Sequence, residues 1–133
     1  IDLRPENSQV IGWMLPAPAQ GAIMVVCRKE DNYTLEACRN LNDESTALCT
    51  RIERDFLRTL MGGCSTPISA LAEIKKESIH FRGNILSLDG SKKASIEKKI
   101  AAGDADNFGK IAAEELLING GKEIAEEIRH AVN

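Results

Sequence analysis

The stretch Asn42–Pro67, NDESTALCTRIERDFLRTLMGGCSTP, decides the fold. At about 100° per residue, Leu48, Cys49, Ile52, Phe56 and Leu60 fall on one broad face, while Arg51, Arg54 and Arg58 cluster on the opposite side. The spacing predicts one long amphipathic helix. Asn42 is the expected N-cap, with Asp43 and Glu44 in the first turn, where unpaired N–H groups favour negative charge. Gly62 and Gly63 are expected to stop the helix, because a residue without Cβ takes left-handed backbone angles freely. Cys64 then stands at a sharp turn just past a helix end, and Pro67 restricts the loop that follows.

Downstream, the apolar period changes from helical to extended. Ile68–Ile74 reads as a strand with Ala70, Ala72 and Ile74 on one face, followed by a polar turn over 75–78. Ile79–Leu88 reads as a second strand. Ile79, Phe81 and Ile85 share a parity that Leu86 and Leu88 break, so a bulge is expected near Gly83. Asp89-Gly90 signals a hairpin into a third strand, Lys92–Ile100, with Ala94, Ile96 and Ile100 alternating against polar residues. Gly103-Asp104 is expected to open the next helix, with Asp104 and Asn107 at its cap. Its stripe is Phe108, Ile111, Ala112 and Leu116, and Lys110 pairs with Glu114. Gly120-Gly121 breaks this helix, and Lys122–Ala131 forms a last one that packs through Ile124, Ile128 and Val132. The fold class is therefore α+β: a three-stranded antiparallel sheet covered on one face by helices. The other face, carrying Lys and Glu, is left for solvent or for another domain.

Upstream, residues 1–10 carry little pattern. The run Ile11–Leu15 is closed by Pro16 and Pro18, which argue against a central strand or helix interior. Residues 19–22 form a tight connection. Ile23–Cys27, IMVVC, reads as a buried strand, yet no parallel partner lies nearby in the sequence. A charged linker, 28–32, leads to a short helix over Tyr33–Leu41 with Leu35, Cys38 and Leu41 inward. The lone strand and the initial Ile lead to the expectation that the chain is a piece of a longer one, preceded by remnant strand and linker of upstream domains.

Composition narrows the functional classes. The 133 residues are 43% hydrophobic and 28% charged, which is globular and not disordered material. A formal net charge of −3 lacks the basic balance of a nucleic-acid binder, and the strands lack a basic, aromatic face for RNA. The four cysteines, at 27, 38, 49 and 64, form no CxxC pair, so no zinc or other metal site is expected. With no signal peptide and no apolar run long enough for a bilayer, a reduced, cytoplasmic protein is the expectation.

Cys64 leads the candidates for chemistry. A thiolate is nucleophilic, and positive charge or free N–H groups raise its fraction. The competing reading is a small buried hydrophobe. Cys27, Cys38 and Cys49 lie in periodic apolar segments and read as packing. Arg51, Arg54 and Arg58 either present paired donors to carboxylates or form a solvated face, with Asp55 within reach of Arg51 and Arg58. His80 and His130 have no partner at catalytic or metal spacing. No acid pair is spaced for acid–base work, and the glycines form no phosphate loop.

In three places the chain resembles porphobilinogen deaminase, also called hydroxymethylbilane synthase. PAPAQGA at 16–22 is similar to the family's Pro-Ala-x-Gly-Gln-Gly-Ala. LNDESTALCTRIERDFLRTLMGGCSTPI at 41–68 carries its Glu-Arg and Gly-Gly-Cys-x-x-Pro. AAEELLINGGKEI at 112–124 looks like its terminal helix. The resemblance implies the last third of a three-domain enzyme. Residues 1–31 would be the end of domain two and the returning segment of domain one. Residues 32–133 would be the carboxy-terminal cofactor-attachment domain. It further implies an enzyme that joins four porphobilinogen molecules into hydroxymethylbilane, releasing ammonia, on a dipyrromethane primer. That primer is held by a thioether to the cysteine matching Cys64, with Gly62 and Gly63 presenting it. Arg54 matches a recurring family arginine, a possible supporting residue. Ala19 stands where the family usually has glycine. The family's catalytic aspartate and main arginine set match nothing here, so no catalytic residue is expected in this chain. The isolated chain is then expected to be inactive and monomeric, to lack the primer, and to depend on the upstream domains of its polypeptide. The alternative is a non-enzymatic α+β binding or scaffold module with a packed Cys64.

Overall fold

The structure is a computed structural model that describes residues 6, 8–9, 11–60 and 66–132. In chain order its elements are α1 (Asn32–Arg39), α2 (Glu44–Thr59), β1 (Ile68–Lys75), β2 (Ser78–Leu86), β3 (Lys93–Ala101), α3 (Phe108–Leu116) and α4 (Lys122–Val132). The strands form one antiparallel meander in the order β1-β2-β3. Period-2 alternation sets its two faces. Ile68, Ala70, Ala72, Ile79, Phe81, Ile85, Ala94 and Ile96 point into a core shared with Ile52, Phe56 and Leu60 of the α2 region. From α3 come Phe108, Ala112, Ala113 and Leu116, and from α4 Ile124, Ala125 and Ile128. Three phenylalanines brace the centre edge to face, Phe56 to Phe81 at 5.1 Å and Phe81 to Phe108 at 5.6 Å. The α+β arrangement with one covered sheet face is as the sequence predicted.

Several local expectations are corrected. The N-cap of α2 is Asp43, not Asn42. Asp43 is extended and its carboxylate accepts the Thr46 N–H at 2.7 Å, which holds its carboxyl below the usual range. Asn42 instead donates to Glu44. No bulge interrupts β2: the pairing runs unbroken from Ile68↔Ile85 to Lys75↔Ser78 and from Ser78↔Ala101 to Leu86↔Lys93. The alternation simply holds: Leu86, the last residue of the strand, is half-buried on the face opposite Ile85, and Leu88 is exposed in the turn beyond it. Gly83 serves a different purpose. A Cβ there would lie 2.6 Å from Cζ of Phe56, so the glycine makes room for that ring. Asp104 closes a separate 3₁₀ turn, Ala102–Asp104. α3 starts after Asn107, which is left-handed (φ 57°) and makes no side-chain cap. Ile111 faces out of α3, and Ala113 takes the inward position. The break at Gly120 is as expected, with φ 99° there.

The upstream segment departs furthest. Ile23–Cys27 belongs to no strand, and Ile23 is 93% exposed. α1 buries none of its residues, Leu35 is exposed and Cys38 only half-buried, and the helix ends at Arg39 so that Leu41 lies exposed beyond it. Helical spacing supplied an apolar face, but the described residues supply nothing to cover it. The side chain of Val132 lies outside the described residues.

On the open face of the sheet Asn84 sits in register between Ser69 and Ser95. It is only 7% exposed, and its Oδ1 has no hydrogen-bond partner among the described residues. A buried acceptor left unpaired costs about 1–3 kcal/mol. Asn84→Val removes the orphan and adds a strand-favouring side chain, so it is expected to stabilise by about 1 kcal/mol. Urea unfolding with an unchanged slope and a higher midpoint would bear this out. A lower midpoint would show that the amide contributes to the fold.

Candidate functional site

Gly62, Gly63 and Cys64 lie outside the described residues. The chain on either side of them is described. α2 is capped by Leu60, whose N–H donates to Phe56 O at 3.1 Å and which is 4% exposed. β1 begins at Ile68, also 4% exposed and paired with Ile85. Both flanks of the Cys64 segment are thus fixed in the core.

The arginines do not converge. Arg51 reaches Asp106 at 3.6 Å and not Asp55, because α3 brings Asp106 across from the next loop. Arg58 pairs with Asp55 at 3.4 Å, as its spacing suggested. Arg54 donates to Sδ of Met24 at 3.7 Å and makes no ion pair with a carboxylate among the described residues. These exposed pairs contribute little to stability. His80 is half-exposed on the open sheet face and His130 is exposed on α4. No group of three or more His, Cys, Asp or Glu among the described residues is placed to hold a metal ion. No described helix is long and apolar enough to cross a membrane.

Sequence reasoning missed Glu53. Its side chain belongs to α2, yet the residue is only 5% exposed. One carboxylate oxygen accepts the Ala72 N–H on the free edge of β1 at 2.7 Å, and the other accepts the Ala19 N–H at 2.7 Å. The same edge is bonded again where Ala70 N–H donates to Pro16 O at 3.1 Å. The PAPAQGA loop is therefore tied through one carboxylate to both the long helix and the sheet. Burial pushes the Glu53 carboxyl above its ordinary value, and the amides of Ala72 and Ala19 pull it partly back. Burial, with Glu53 close by, also raises the Cys49 thiol, which disfavours a reactive thiolate there. Both residues line an open groove of about 510 Å³ beside the loop. A signal for Glu53 was present: it lies four residues after Cys49 and three before Phe56, which puts an acid on the margin of the apolar stripe.

The comparisons with known proteins point one way. Residues 47–118 match the family described as porphobilinogen deaminase, C-terminal domain. A porphobilinogen deaminase of Carboxydothermus hydrogenoformans is 39% identical over 119 residues, covering 90% of this chain and 38% of the relative. One of Macrococcus caseolyticus is 38% identical over the same shares. One of Maridesulfovibrio salexigens is 36% identical over 130 residues, covering 96% of this chain and 42% of the relative. The chain spans about two fifths of the length of these curated relatives. On the extent of the family match, over half of its residues with Cys64 inside the matched stretch, the chain belongs to the porphobilinogen deaminase C-terminal domain family.

Proposed function

We propose that this chain is the cofactor-bearing part of a porphobilinogen deaminase, with Cys64 as the attachment point of a dipyrromethane primer. The observation that carries the reading is the family match across 47–118, which contains Gly-Gly-Cys directly after α2. A cysteine sulfur fits the group chemically, because a soft nucleophile forms a stable thioether at an electrophilic methylene carbon. When bound, the primer supplies a fixed end from which a chain of four porphobilinogen units grows, with loss of ammonia at each addition. Cys64 tethers and orients, and tethering makes the later steps effectively intramolecular. It is neither the acid nor the base. By the resemblance, Gly62 and Gly63 present Cys64, and Arg54, on α2, is a supporting cation.

The division follows the resemblance. Residues 1–31 belong with the upstream domains, and 32–133 form the attachment domain. The unpaired apolar run at 23–26 and the uncovered α1 support this, since both offer surface to a partner within the same polypeptide. The complete enzyme works as a cytoplasmic monomer on porphobilinogen, with no nucleic acid or membrane partner. The 133-residue chain alone is inactive and carries a free thiol, because a site shared by three domains does not assemble from one.

Two measurements test this. Incubated with porphobilinogen, the chain yields no linear tetrapyrrole, and its intact mass equals that of the sequence. Turnover by the chain, or an added dipyrromethane mass that disappears in Cys64→Ser, would overturn the inactivity and free-thiol claims. In the full-length polypeptide the same substitution abolishes product. Undiminished product there would end the tethering role.

A further inference from the structure

We propose that the loop 16–22 is a latch that opens locally, about a strained Ala19, while the sheet stays folded. Nothing of residues 11–28 is buried, so the loop adds no side chain to the core. Its hold on the sheet is polar: Ala70 N–H to Pro16 O, and the Glu53 carboxylate bridging Ala19 N–H and Ala72 N–H. Against these bonds stands backbone strain. Ala19 is left-handed at φ 58°, a conformation that costs an L-residue with a Cβ its steric comfort. Two residues on, Gly21 at φ 81° takes the same region without penalty. Opening relaxes Ala19, rehydrates the Glu53 carboxylate and exposes two N–H groups on an edge that no fourth strand covers among the described residues. The three changes offset much of the lost hydrogen bonding. Closed, the latch holds residues 16–22 against the edge of β1. Open, it frees that loop without disturbing the phenylalanine core.

Native-state hydrogen exchange in low denaturant tests this on the chain itself. The Ala70 and Ala72 amides are expected to exchange together, with almost no denaturant dependence, at least about 100-fold faster than Phe81 and Ile85 in the central strand. Ala19→Gly relieves the closed state and should slow exchange at Ala72 about threefold, after the extra freedom of glycine in the open loop is counted. Exchange of Ala72 at the rate and denaturant slope of Phe81 would overturn the proposal. So would Ala19→Gly leaving Ala72 unchanged or faster.

Discussion

Gly109→Ala is expected to destabilise the protein by about 2 kcal/mol or more, although alanine is the better helix former. In α3 a Cβ at this position would lie 2.2 Å from the backbone oxygen of Ile52 and 3.0 Å from Cβ of Asp55. The obstacle is backbone, so no rotamer change relieves it. α2 and α3 would have to separate by more than ~1 Å to restore ordinary contact, loosening the packing of Ile52 and Phe56 beneath. Helix propensity alone predicts a gain of about 1 kcal/mol, whereas overpacking of this kind costs about 3 kcal/mol or more. Packing wins. The thermal midpoint should fall by about 10 °C. Gly103→Ala is the control, because nothing lies within 4 Å of a Cβ there. If Gly109→Ala matched that control, the close crossing of α2 and α3 would be wrong.

Glu53→Gln is expected to cost about 2–3 kcal/mol, far above the usual effect of removing a surface charge. The carboxylate accepts two amides, and glutamine has one oxygen. Its NH₂ group would face either Ala72 N–H or Ala19 N–H, leaving two donors opposed in a site that is 5% exposed. The pH dependence has a definite sign. Because the folded carboxyl titrates above its ordinary 4.5, the folded state binds a proton more tightly than the unfolded state. Stability from this group is therefore full below about 4.5 and declines as pH rises through the raised folded value. The advantage of the natural protein over Glu53→Gln should accordingly be smaller at pH 7 than at pH 4.5. Paired urea titrations at the two pH values measure it, and an advantage that grew with pH would contradict the burial argument.

The alternation of Ala70 and Ala72, and of Ile79 and Phe81, was legible because a strand with one buried face must alternate. α2 was legible because its apolar residues recur at helical spacing over four turns. The role of Gly83 was not. A glycine inside a strand marks a bulge or a close approach, and only the position of Phe56, 27 residues earlier, distinguishes them. The strand assigned to Ile23–Cys27 failed for a similar reason. Its composition favours extended backbone, but a strand exists only where a partner supplies the ladder, and the described residues supply none. For the candidate site, Cys64 stood out by its chemistry and its glycines. The role of Glu53 did not: its place on the margin of the apolar stripe marks it as a partly buried acid, but its partners, Ala19 and Ala72, lie 34 and 19 residues away.

The sequence by itself determined the period of each segment and hence the α+β class, the covered face of the meander, and a cysteine after a glycine pair. Those properties depend on neighbours a few residues apart, which the chain order already specifies. Only the tertiary structure decided that Glu53 joins the loop to the sheet edge, that Gly109 lets two helices touch, and that Ala19 sits in a left-handed turn. The first two are contacts between segments far apart in the chain, which form only once the elements have packed, and the third is a local conformation whose N–H is held by the distant Glu53.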